Sequence, residues 1–138
     1  MTLLDTNILI EILKGDQDTI EKIENISGKV FISSISAMEL YYGALNKAEV
    51  KKIEKFISLF KTVHLNKEIS IKATKLIQAY AKSHTLDIPD SLIAATAITN
   101  RYELITYNIK YFKYIEGLTY KLTFLYLLCF HNFYLTRT

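Results

Sequence analysis

The chain has 138 residues, 50% of them apolar and 22% charged, with four glycines, one proline and a formal net charge of +3. That length holds one domain and excludes a second catalytic one, and the composition excludes the disordered and fibrous classes. The positive charge is nearly all lysine, with Arg101 and Arg137 the only arginines, so any contact with nucleic acid would fall on phosphates rather than on base edges read bidentately.

Thr2 to Asp5 is a short apolar run that meets Thr6-Asn7, and Ile8, Leu9, Ile10, Ile12 and Leu13 then fill a helix-length segment that Gly15 can end. Ile20, Ile23 and Ile26 keep helical spacing up to Ser27-Gly28. Val30-Phe31-Ile32 predicts a second strand from its β-branched and aromatic residues. From Ala37 a helix carries Leu40, Tyr41, Ala44 and Leu45, and a further one carries Val50, Ile53, Phe56, Ile57 and Phe60, with Lys47, Lys51, Lys52 and Lys55 on its other face. Val63 and Leu65 suggest a third strand. Ile69, Ala73, Leu76, Ile77 and Tyr80 predict an amphipathic helix of about three to four turns. Proline is tolerated at helix starts, so Pro89 places Asp90 in or just before the first turn of a helix running through Ile98. Leu104-Ile105-Thr106 is the fourth predicted strand, a turn holds Asn108, and Leu118 to Tyr120 predicts a last strand.

Short strands alternating with helices imply an α/β fold with a parallel sheet covered by helices. Ligands of such sheets bind beyond the carboxyl ends of the strands. Asp5 ends the first strand, Thr106 and Asn108 follow the fourth, and Glu39 and Asp90 lie near the starts of helices leaving that edge, so the acids are expected to converge. Each acid also has a purely structural reading. Asp5 is a preferred N-cap residue, Ser36 and Glu39 fit the Ser-x-x-Glu capping box, and Asp90 would be stabilised by its helix dipole. A shared carboxylate site would suit a hard ion such as Mg²⁺ or Mn²⁺. The three histidines show no zinc spacing, a single cysteine cannot build a zinc site, and neither a nucleophile elbow nor a glycine-rich phosphate loop occurs.

In order, Leu3-Leu4-Asp5-Thr6-Asn7, Ser36 to Gly43 with Glu39, Ile88-Pro89-Asp90 with Ile93-Ala94-Ala95, and Leu104-Ile105-Thr106-Tyr107-Asn108 with Phe112 resemble the signature of PIN-domain ribonucleases, nearest to VapC toxins of toxin-antitoxin pairs. The resemblance spans residues 2 to about 118. It implies a PIN-like three-layer fold, with Asp5, Glu39 and Asp90 holding Mg²⁺ or Mn²⁺. It also implies Asn108 as the remaining polar group of a fourth position whose usual acid is here Tyr111. Thr6, Asn7 and Thr106, beside these acids, are expected to meet substrate, and Lys47 and Lys51 to meet the RNA backbone, although a solvated helix face explains the lysines equally well. The implied activity is metal-dependent endoribonuclease cleavage by a toxin. Housekeeping RNA processing and a catalytically weak RNA-binding module are the alternatives. The implied partners are RNA, a cognate antitoxin and a second copy of the chain.

Residues 1–120 are read as the nuclease domain and 121–138 as an apolar extension. Its run from Leu122 to Tyr134 is shorter than the ~20 residues of a spanning helix, so no membrane association is expected. One cysteine cannot form an internal disulfide, and no leader-like segment opens the chain, which predicts a reducing, cytoplasmic setting.

Overall fold

The computed structural model of the protein describes residues 1–122. The elements in chain order are β1 (Thr2–Leu4), α1 (Thr6–Leu13), α2 (Gln17–Glu24), β2 (Val30–Ser33), α3 (Ser34–Tyr42), α4 (Lys47–Ile57), β3 (Lys61–Val63), α5 (Lys67–His84), α6 (Ile88–Asn100), β4 (Glu103–Thr106), a 3₁₀ turn (Ile109–Tyr111) and β5 (Tyr120–Leu122). The strands form one sheet in the order β3-β2-β1-β4-β5, and every pairing is parallel. β1 lies at its centre, with Leu4 in register with Ile32 on one side and Ile105 on the other.

Alternation along the central strands creates the three layers, because successive side chains point to opposite faces. Leu3 and Leu104 enter one core with Ile69, Ala73 and Leu76 of α5 and Ile93, Ala94 and Ala97 of α6. Leu4, Ile32 and Ile105 enter the other, with Ile8 and Leu9 of α1, Leu40 of α3 and Ile53 of α4. A strand apolar on both faces is what a doubly covered parallel sheet requires. This is the expected α/β fold.

Several boundaries differ from those expected, each for a local reason. α3 begins at Ser34 because Ser33, at the end of β2, caps it: its hydroxyl accepts from the Ile35 N–H at 3.1 Å. Ser36 is thereby inside the helix, so the Ser36–Glu39 capping box does not form. β3 is Lys61–Val63 and excludes Leu65. α5 is 18 residues long, about five turns, because Tyr80 and His84 carry its contact stripe onto Tyr114. Leu118 packs into the core, and the last strand is Tyr120–Leu122, paired with Leu104–Thr106. The sheet therefore runs into the first two residues of the segment read as an extension, and the apolar stretch from residue 123 onward lies outside the described residues. Among the described residues, no helix is long and apolar enough to cross a membrane.

Candidate active site

Asp5 stands at the carboxyl end of the central strand, buried, and its position is fixed by three hydrogen bonds. Its backbone N–H donates to the Ile105 carbonyl at 2.9 Å. Its Oδ1 accepts from the Thr6 N–H at 2.8 Å, which makes it the N-cap of α1, and its Oδ2 accepts from the Thr106 hydroxyl at 2.7 Å. Thr106 Oγ1 in turn accepts from Asn7 Nδ2 at 3.2 Å and from the Asn108 N–H at 3.0 Å. Asn7 completes the clamp, because its Oδ1 accepts from the Tyr107 N–H at 3.2 Å. The capping reading of Asp5 thus holds, and it occupies one carboxylate oxygen while the other faces β4.

Thr6 joins Asp5 to the next acid. Its single hydroxyl hydrogen is shared between Ser36 Oγ at 2.8 Å and Glu39 Oε1 at 2.9 Å, which ties the first turn of α1 to α3. Glu39 itself is exposed and lines an open depression with Ile35, Met38, Tyr42 and Pro89, so the start of α6 meets α3 at this point. Asp90 lies in the first turn of α6. The N-cap there is Asp87, whose Oδ1 accepts from the Asp90 N–H at 2.9 Å.

The acids are coupled through their charges. Asp90 is pushed up to about 7, first by burial and then by the charges of Asp87, Asp5 and Glu39. Burial raises Asp5 as well. The hydrogen bonds from Thr106 and Thr6 oppose that rise, and the charges of Glu39 and Asp87 add to it. Among the described residues no cationic side chain contributes at either group, and the ion pairs Lys14–Glu11 and Lys121–Glu103 lie elsewhere. A partly buried negative cluster without a counter-ion is unfavourable.

The expected residues are therefore brought together unequally. Asp5, Glu39 and Asp90 share one electrostatic site at the carboxyl edge. Thr6 and Thr106, expected to meet substrate, are buried and engage carboxylates, and Asn7 clamps the turn after β4. Asn108 reaches the site through its backbone, while its side chain lines a neighbouring cleft of about 450 Å³ with Glu11, Asp16, Asp18 and Tyr107. Tyr111 is exposed beneath the ammonium of Lys110, 5.0 Å from its ring centroid. Lys47 and Lys51 are exposed at the start of α4 and enter none of the hydrogen bonds of the site among the described residues. Asp87 is the acid that sequence reasoning missed. Its signal was an Asp two residues before proline, the placement of a cap rather than of the helix's first turn.

Among the described residues no three His, Cys, Asp or Glu side chains close into a metal shell. The donor set nonetheless fits a hard ion: Mg²⁺ keeps several waters and needs only one or two protein carboxylates together with substrate phosphate, and a cation would favour the charged forms of Asp5 and Asp90 that burial, and then mutual repulsion, disfavour.

This site lies on a chain with clear relatives. Residues 2–118 match the PIN domain family. The chain is 35% identical over 124 residues to Ribonuclease VapC1 of Rickettsia felis, an alignment covering 84% of this chain and 91% of that protein. Its fold is similar to a chain of a toxin-antitoxin complex from Klebsiella pneumoniae, with a TM-score of 0.73 and 32% identity over 86% of this chain and 96% of that one. It is also similar to a chain of VapBC2 from Rickettsia felis bound to a promoter DNA fragment, with a TM-score of 0.76 and 28% identity over 88% and 97%. An α/β sheet with its acids at the carboxyl edge, matched along nearly all of its described length, is thus accounted for by common descent: the chain belongs to the PIN domain family and, within it, to the VapC ribonucleases.

Proposed function

We propose that the protein is the toxin of a toxin-antitoxin pair, an endoribonuclease that hydrolyses RNA phosphodiester bonds with Mg²⁺ or Mn²⁺ in the cytoplasm. The observation that carries this reading is the gathering of Asp5, Glu39, Asp87 and Asp90 at the carboxyl edge of the sheet, where burial and then the neighbouring carboxylates push Asp90 up to about 7 and, among the described residues, no cation offsets them. Relatives named as ribonucleases and as toxin-antitoxin components support it.

In this mechanism Asp5 and Asp90 would hold the ion, with Glu39 completing the site. When bound there, a divalent ion would supply charge stabilisation at a phosphate and would lower the pKa of a water. The chain's own part is positional. Thr106 and Thr6 fix the Asp5 carboxylate, and Thr6 also fixes Glu39. Glu39, exposed and anchored through one oxygen, would accept a proton from the attacking water. Cleavage in this manner leaves 5'-phosphate and 3'-hydroxyl ends.

Two apolar surfaces suit the expected protein partners. Met38, Tyr42 and Leu45, around the end of α3, are 53%, 94% and 87% exposed, and Ile88 at the start of α6 is 66% exposed. Such a patch beside the site suits a homodimer interface. A groove of about 560 Å³ between α1, α2 and the end of α4 is walled by Ile12, Leu13, Ile23, Phe56, Leu59 and Phe60, with Lys52 and Lys55 lining it as well. An amphipathic helix with acidic flanks, supplied by the antitoxin, fits that lining.

Expression in a bacterial host tests the reading. Growth should stop with the wild-type chain and continue with Asp5→Asn at equal soluble level; arrest that persists in the variant, or no arrest by folded wild-type protein, would overturn it.

A further inference from the structure

Three rings stack beside the carboxylate site, and the site itself gives them no role. Tyr80 and His84 lie one turn apart on the last part of α5 and both meet Tyr114. The His84 and Tyr114 rings are parallel to within 16° at 4.1 Å between centroids, and Tyr80 meets them at 5.7 Å and 5.2 Å. The assembly is held in place: the Tyr80 hydroxyl accepts from the Glu116 N–H at 3.2 Å, and His84 Nδ1 lies 2.7 Å from Ser83 Oγ. His84 is exposed.

Its position relative to the acids is set by the chain. His84 and Asp87 are three positions apart, so their Cα atoms lie within about 11 Å. The connection turns through Thr85, which adopts the left-handed conformation with φ 55°. Such a conformation is unfavourable for a β-branched residue. Burial, and after it the charges of Asp90 and Asp87, raise the Tyr114 hydroxyl, so that ring lies within electrostatic reach of the site.

A surface beside Asp87 and Asp90 repels phosphate but not an uncharged aromatic ring. Nucleotides splayed out of a single strand are held by stacking on Tyr and His side chains. We infer that His84, backed by Tyr114 and Tyr80, is a stacking platform for one base of single-stranded RNA next to the scissile phosphate. The inference deepens the nuclease reading and rests on it.

The test compares full-length wild-type protein, His84→Leu and His84→Phe. The probes are a fluorescein-labelled RNA decamer of mixed sequence and a decamer of the same length made of abasic ribose, with binding read by anisotropy in EDTA. All three proteins should remain folded at the assay temperature, as checked by thermal melting, because Leu and Phe keep an apolar contact with Tyr114 at this exposed position. Wild type and His84→Phe should prefer the base-containing decamer. His84→Leu should bind it about tenfold more weakly, bind the abasic decamer unchanged, and show a matching rise in KM for cleavage with little change in kcat. Equal binding of both decamers by wild type, or unchanged binding and KM in His84→Leu, would overturn the platform while leaving the nuclease intact. Wild-type protein that neither binds nor cleaves RNA would overturn both.

Discussion

At the scale of single residues the site is defined by conflict. Asp90 and Asp5 are more easily protonated in the fold than in a free chain, because burial and neighbouring carboxylates disfavour their charge. A carboxyl whose pKa is raised by folding binds protons better in the native state, so stability falls as pH rises. For Asp90 the loss begins above its ordinary value of 3.8 and is complete above about 7. Metal-free protein should therefore melt at lower temperature at pH 8 than at pH 5. Asp90→Asn should flatten that dependence, and Mg²⁺ or Mn²⁺ should restore the melting temperature of wild type at pH 8 but not of the variant. A metal-free melting temperature that rises between pH 5 and pH 8 would refute this account of the cluster. Thr106 offers a second residue-scale test, because its hydroxyl donates to Asp5 and accepts from Asn7 and from the Asn108 N–H. Thr106→Val keeps the shape and removes all three bonds. It should destabilise the fold by about 1–3 kcal/mol in urea unfolding and lower nuclease activity as Asp5 loses its anchor.

At the scale of elements, what the sequence conceals is mostly helix ends. Apolar spacing showed where α1, α4, α5 and α6 lie, because their stripes are long and regular. It did not show that Ser33 rather than Ser36 caps α3, since serines stand at 33, 34 and 36 and only the end of β2 decides which one is free to turn back on the helix. Nor did it separate Asp87 from Asp90 at α6. Asp87→Ala should act in two opposing ways. Loss of the cap typically removes about 1 kcal/mol, whereas loss of its charge relieves Asp90. NMR titration of the variant should show the Asp90 pKa below that of wild type even if the protein is less stable. Thr85 gives a cleaner sign. Left-handed backbone is free of strain only for glycine, so Thr85→Gly should stabilise the fold by about 1 kcal/mol in urea unfolding.

At the scale of the whole molecule, the alternation of Leu3 with Leu4 and of Leu104 with Ile105 between two cores builds a sheet covered on both faces and brings Asp5 and Thr106 to one rim. That convergence was readable from the order of strands and helices, because a parallel sheet places every strand's carboxyl end on the same side. Distances and protonation were not readable, since they depend on Thr6 and Thr106 bridging elements up to 101 positions apart. The apolar face of Tyr42 and Leu45 belongs to this scale too. Leu45→Glu together with Tyr42→Glu should convert a dimer to a monomer in sedimentation, and an unchanged sedimentation coefficient would place the interface elsewhere. Cleavage of RNA by antitoxin-free protein measures directly whether the carboxylate rim is a metal-dependent nuclease centre. With Mg²⁺ or Mn²⁺ the wild-type chain should cleave. EDTA should abolish cleavage, and folded Asp90→Asn should be slower by at least about a hundredfold. Cleavage that persists in EDTA, or at the wild-type rate in Asp90→Asn, would contradict the account.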